Sequence, residues 1–264
     1  NIISLLCVSV HYSKRFENAD LFLTQCTDKI LVSNAKYLTN RNIDKIIDLF
    51  IKNTIQYCEK SNINNKNMLF IWKQFLNDTH LPAIIFQDDF IEKIKLKLKY
   101  DDEKKFFINI TSVRIPIVAS FLDFWKNNIE EDSEEPEIEI GEIAIFFKKW
   151  SENNFNGVEE SYLLDLIKHF YNEVTIKDDK YLINIKYKNW DRRQIIYDSM
   201  ELYKHTMNTN NKYCSSLTDA YTYYLSCEKD KLAISKHYFE TIFKDFYKDY
   251  IHDDDIIKQA FFII

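Results

Sequence analysis

The side chains best placed for chemistry in this sequence are acidic. His252-Asp253-Asp254-Asp255 gathers oxygen ligands of the kind a hard divalent cation takes, though the same run reads more simply as a turn between two short strands. Asp88-Asp89, Asp101-Asp102 and Glu159-Glu160 pair carboxylates as acid–base catalysis requires, but sequence neighbours point to different faces and no nucleophile or base joins them. Asp88-Asp89 and Glu159-Glu160 stand instead where helices are expected to begin, where negative charge meets the positive end of the helix dipole. Six histidines (His11, His80, His169, His205, His237, His252) form no H-E-x-x-H motif and no pair spaced for one helix face. Five cysteines (Cys7, Cys26, Cys58, Cys214, Cys227) are odd in number, lack zinc spacing, and suit a reduced compartment. Spacing does not decide a Cys–His pair assembled by the fold. With two isolated glycines, Gly141 and Gly157, neither a phosphate-cradling loop nor a nucleophile elbow can form. The chain is therefore expected to be no enzyme and to hold no cofactor, no metal ion and no small-molecule ligand.

What remains is binding chemistry carried by basic and aromatic residues. Lys93, Lys95, Lys97, Lys99, Lys104 and Lys105 make the densest positive stretch, and Lys186, Lys188, Arg192 and Arg193 a second one beside Trp190. The candidate nucleic-acid or partner contacts are Lys95, Lys97 and Lys99, together with Lys168, Lys177, Lys180, Lys186, Lys188, Trp190, Arg192 and Arg193. In a winged helix the second helix enters the major groove and the wing touches the backbone, so Lys168, Lys177, Lys180 and Lys186 would be the contacts of the second unit. The same cations also suit an ordinary solvated face. A net charge of −6 leaves no surplus positive field over the whole chain, so any nucleic-acid contact must be local. Acidic turns such as Asp178-Asp179 and Asp253–Asp255 would repel phosphate, which favours protein over DNA.

The elements that must position these residues are mostly helices. Three prolines and two glycines in 264 residues leave long stretches without a helix breaker, while 46% apolar and 16% aromatic residues supply a core. Ile43, Ile46, Ile47, Phe50 and Ile51 recur at helical spacing behind Asn42 or Thr39 as caps. After an Asn/Lys-rich break at Ser61–Asn67 a weak repeat follows, spaced by about 75 residues: aromatic helix, second helix, then alternating segments around an acidic turn. Its copies open at Met68-Leu69-Phe70-Ile71-Trp72, Ile143-Ala144-Ile145-Phe146-Phe147 and Leu217-Thr218-Asp219-Ala220-Tyr221. The hairpin is clearest in the second copy, where Val174 and Ile176, then Tyr181, Ile183 and Ile185, alternate with polar residues around Asp178-Asp179. In the first copy, Ile94–Tyr100 fits a strand by alternation and a helix by Phe90, Ile91, Ile94 and Leu98. Helices at Ile117–Ile129 and Arg192–Met207 read as connectors, and the acidic run Glu130–Glu137 as a flexible linker or a dock for a basic partner.

Helix, helix, hairpin is the order of a winged-helix unit. The expected fold is thus mainly α, a helical bundle with tandem winged-helix-like units carrying small β-hairpins; the alternative is an irregular bundle. The division is an N-terminal helical subdomain over 1–62, units over 63–130 and 137–210, each with its connector helix, and a third unit over 211–264.

The run Ile140–Trp190, with Phe147-Lys148-Lys149-Trp150 and a later hairpin, resembles the winged-helix tail that follows the helicase core in poxvirus-type and giant-virus primase-helicases. Leu217-Thr218-Asp219-Ala220-Tyr221-x-Tyr223-Tyr224 followed by Ser235-Lys236-x-Tyr238-Phe239 is similar to the same kind of tail. The resemblance covers about a third of the chain and carries no catalytic residue with it. It implies a large-DNA-virus origin and a role in nucleic-acid transactions; separately, heavy use of Asn, Ile and Lys points to an AT-rich coding genome. The expected function is a non-catalytic accessory module of a viral replication or gene-expression protein, binding nucleic acid or neighbouring subunits. The alternative is a pure protein–protein scaffold in a viral gene-expression or translation complex. No apolar stretch is long enough to span a bilayer and no signal peptide is recognisable, so no membrane partner and an intracellular setting are expected, the host cytoplasm and its virus factory if viral. A start at Asn1 without Met suggests a segment of a longer protein.

Overall fold

The computed structural model describes residues 2–263 apart from 17, 41, 84, 153, 156, 210–214, 228–231 and 253–254, and side chains other than those of 19, 20, 33 and 36–40. Thr39 as a cap, Cys214, and Asp253 and Asp254 of the cation cluster fall outside what is described. The chain is mainly α, with twelve α-helices and small antiparallel sheets among the described residues. None of these helices is long and apolar enough to cross a membrane. Helices α1 (Ile2–Arg15), α2 (Ala19–Gln25) and α3 (Lys29–Asn40) come first; α1 buries none of its residues.

From residue 43 onward one element order occurs three times. The first copy is α4 (Ile43–Thr54), β1 (Gln56–Asn64), α5 (Asn65–Asp78), α6 (Gln87–Lys95), β2 (Tyr100–Asp101) and β3 (Phe106–Thr111). The second is α7 (Ile115–Asn128), β4 (Ile129–Glu131), β5 (Glu137–Glu139), α8 (Ile140–Trp150), α9 (Glu160–Phe170), β6 (Ile176–Lys177), β7 (Tyr181–Ile183) and β8 (Ile185–Tyr187). The third is α10 (Arg192–Thr209), β9 (Ser215–Ser216), α11 (Leu217–Cys227), α12 (Lys236–Tyr247) and β10 (Ile256–Ile257). Strand order also recurs: β1-β3-β2 in the first copy and β5-β7-β6 in the second, while in the third β10 pairs with β9 and bridges Ile251. A two-stranded hairpin with so few paired residues is marginal by itself, and in each copy an earlier strand completes the sheet.

Local chemistry explains most boundaries. Asn42 caps α4 by accepting from the Lys45 amide at 2.9 Å, and Asn64 caps α5 in the same way from Asn67 at 2.7 Å. Asp88 and Asp89 lie in the first turn of α6, and Glu160 in that of α9. The ambiguous stretch at Ile94–Tyr100 divides: Phe90, Ile91 and Ile94 are the buried face of α6, and the strand begins only at Tyr100. Asp178 and Asp179 both take positive φ (53° and 50°), as a tight hairpin turn between right-twisted strands needs. Three stretches differ from their sequence reading. The Asn/Lys-rich stretch Ser61–Asn67 is the end of β1 and the first turn of α5, because Ile63 is fully buried and pairs with Phe107. The helices read as connectors, α7 and α10, open the second and third copies, since each leads into the strand that its own sheet requires. The acidic run is ordered rather than flexible: it enters β4 and β5, and Asp132 closes the turn between them by accepting from the Glu134 amide at 2.9 Å.

The chain packs as two compact units, Asn1–Phe121 with Asp165–Tyr171, and Leu122–Leu164 with Asn172–Ile264. The first is built around an apolar core of Ile46, Ile47, Phe50, Met68, Ile71, Trp72, Phe90 and Phe107. Phe50 meets Trp72 and Phe75 edge-on at 5.2 and 5.4 Å. Within this unit Asp165 accepts from Lys73 at 3.0 Å and Gln74 at 2.9 Å. The second unit includes a cluster of Ile196, Met200, Leu217, Tyr224, Tyr238, Phe239 and Phe243.

Candidate partner-binding cleft

The start of α10 decides the geometry of the second unit. Arg192 and Arg193 are adjacent, so they leave the helix about 100° apart. Arg192 turns inward and is 1% exposed. Its guanidinium donates to Glu135 at 2.8 Å and Glu142 at 3.2 Å and lies 3.7 Å from the centre of the Tyr238 ring. The Tyr238 hydroxyl donates to Glu135 as well. Burial pushes the Glu142 carboxyl up to about 7, outweighing the attraction of Arg192. Burial likewise raises the Tyr238 hydroxyl. Arg192 is thereby excluded as a surface contact: desolvating a charge is tolerable only where partners surround it, and here they are the chain's own.

Arg193 turns outward. It donates to Asp245 at 2.6 Å and to the Glu134 carbonyl at 2.7 Å, with its guanidinium 5.1 Å from the centre of the Phe246 ring. The pairing of β4 with β8 sets Glu130 opposite Lys186, whose ammonium meets Glu130 at 3.3 Å and Asp132 at 2.7 Å. The hydrogen bond from Lys186 holds the Asp132 carboxyl below its ordinary value, and Asp132 holds Lys186 above its own. Lys188 donates to the carbonyls of Lys126 at 3.3 Å and Asn127 at 3.0 Å, neutralising the negative end of α7. Tyr187 stacks on Phe146 at 4.0 Å, and Trp190 meets the same ring edge-on at 5.0 Å.

These residues enclose a cleft of about 460 Å³ whose walls are Asp132, Glu134, Glu135, Lys186, Tyr187, Lys188, Trp190, Asp191, Arg193, Gln194, Tyr197 and Phe246. Of the residues singled out in the sequence, Lys186, Lys188, Trp190 and Arg193 thus come together. The others do not line it. In the same unit Lys180 pairs with Glu139 at 3.0 Å and Lys177 is exposed on β6. Lys168 is exposed on α9. In the first unit Lys95 pairs with Glu92 at 2.7 Å, Lys97 with Asp48 at 2.7 Å, and Lys99 is exposed before β2. The sequence reading missed Tyr187, Tyr197, Phe246 and Asp191, while Asp132, Glu134 and Glu135 belong to the acidic run it reads as a flexible linker or a dock for a basic partner. Tyr197 was within reach, because it lies four residues after Arg193 on one helix face. Among the described residues no group of three or more His, Cys, Asp or Glu side chains could hold a metal ion.

No protein-family model, no curated protein and no solved structure matches this chain.

Proposed function

We propose that the chain is a non-catalytic, protein-binding scaffold of three winged-helix-like units, serving as an accessory region of a large-DNA-virus replication or gene-expression protein. The thrice-repeated order of helix, strand, two helices and hairpin, with one strand order, supports the winged-helix reading. The viral setting rests on the resemblance to primase-helicase tails. One observation carries the choice of protein over nucleic acid: most of the candidate cations are engaged by the chain's own carboxylates and carbonyls. Lys95, Lys97, Lys180, Lys186, Lys188, Arg192 and Arg193 all have such partners. A phosphate would have to displace them, inside a chain of net charge −6. The face that would enter a major groove in the first unit is acidic, with Asp88, Asp89 and Glu92 exposed on α6.

Nucleic-acid binding is the second reading, favoured by Lys177, exposed on the hairpin of the middle copy, where the wing of a winged helix touches the backbone of its duplex. Titrating labelled duplex and single-stranded DNA at low salt separates the two. A scaffold gives no saturable binding, whereas affinity that falls linearly with the logarithm of salt concentration, and is reduced by Lys177→Glu, establishes the second reading.

A further inference from the structure

The cleft beside α10 has an unusual balance of charge and ring surface. Its cations face inward on partners: Lys186 on Glu130 and Asp132, Arg193 on Asp245, and Lys188 on the last carbonyls of α7. Glu134 and Asp191 both line the cleft and are exposed, and Asp191 accepts through one oxygen from the Gln194 amide at 3.0 Å. Carboxylates in and around the cleft therefore outnumber cations. The rings of Trp190, Tyr197 and Phe246 line the cleft with them; Tyr197 is 45% and Phe246 37% exposed, and the chain's own Arg192 and Arg193 lie 5.2 and 5.1 Å from the centres of the Trp190 and Phe246 rings. Ring faces attract cations through their quadrupole, and a long lysine or arginine side chain lays its methylenes on such rings while its charge stays near carboxylates.

We infer that this cleft receives a basic segment of a partner protein, with a lysine or arginine side chain lodged against Trp190, Tyr197 and Phe246 and its charge facing Glu134 and Asp191. The inference rests on the protein-binding reading and names where and what that scaffold binds. It also gives the ordered acidic run a use: the Asp132 turn fixes Glu134 at the cleft, so the partner meets a preformed surface.

The test is fluorescence anisotropy with a labelled oligolysine peptide and the whole chain. The expected result is saturable binding that weakens with salt, reduced about tenfold by Glu134→Lys and by Tyr197→Ala, both exposed positions, and unchanged by Glu103→Lys, an equal charge change in the turn between β2 and β3. Absence of oligolysine binding, or equal weakening by Glu103→Lys, overturns the inference. Oligoglutamate binding that Tyr197→Ala removes overturns it too, while leaving the scaffold reading in place. Oligodeoxythymidine binding that Lys188→Glu removes overturns both.

Discussion

The two compact units hold their buried polar groups in opposite ways. In the first, Phe50, Trp72 and Phe90 form an apolar core, and a half-buried titratable group is His169, an imidazole whose Nε2 lies 2.8 Å from the Lys66 carbonyl. In the second, a full guanidinium, Arg192, is buried with Glu135, Glu142 and Tyr238 where copies two and three meet. Burial disfavours the charged form in both cases, so it lowers the His169 pKa and raises that of Glu142. The lesson is one of sign. His169 is neutral when deprotonated, so the first unit loses stability as pH falls below the ordinary histidine value of 6.5. Glu142 is neutral when protonated, so its contribution is complete below 4.5 and is lost as pH rises toward 7. Mild acid loosens one unit and firms the other.

The hardest way to break this comparison is to remove the two anchors. Arg192→Ala leaves Glu135 and Glu142 buried without their cation and should cost roughly 3–5 kcal/mol. Phe50→Ala opens a cavity in the first unit and should cost about as much. Hydrogen exchange resolved to each unit distinguishes them: the Arg192→Ala deficit shrinks toward pH 5 as Glu142 takes up its proton, whereas that of Phe50→Ala does not. Glu142→Gln sharpens the contrast by flattening the second unit's stability between about pH 5 and pH 7, where the parent chain declines. His169→Gln should remove the acid-side loss in the first unit, a smaller effect because the ring is only partly buried. Smallest is Arg193→Gln, which breaks a half-exposed pair with Asp245 and should cost about 1 kcal/mol or less in thermal unfolding.

How much of this was legible in the sequence depends on element length. Helices α5, α8 and α11 showed through their apolar spacing, and the Asp178-Asp179 hairpin through alternation around a turn. Strands β5 and β9 did not, because three and two mostly polar residues carry no period. With those strands unseen, α7 and α10 had no sheet to lead into and read as connectors. The cleft was half legible: Lys186, Lys188, Trp190 and Arg193 are close in sequence, whereas Asp132 arrives through the β4–β8 register and Phe246 from α12. Arg192 looked like its neighbour Arg193. Only the fold reveals that one residue of rotation separates a buried ion cluster from a surface pair.

The central claim is that internal pairing removes the positive field a nucleic acid would need. It is tested most directly by titrating labelled duplex DNA into the whole chain at low ionic strength, alone and after Glu130→Gln with Asp132→Asn frees the Lys186 ammonium. The account predicts no saturable binding by the parent chain and measurable, salt-sensitive binding by the double variant. Saturable binding by the parent, unchanged in the variant, would contradict it.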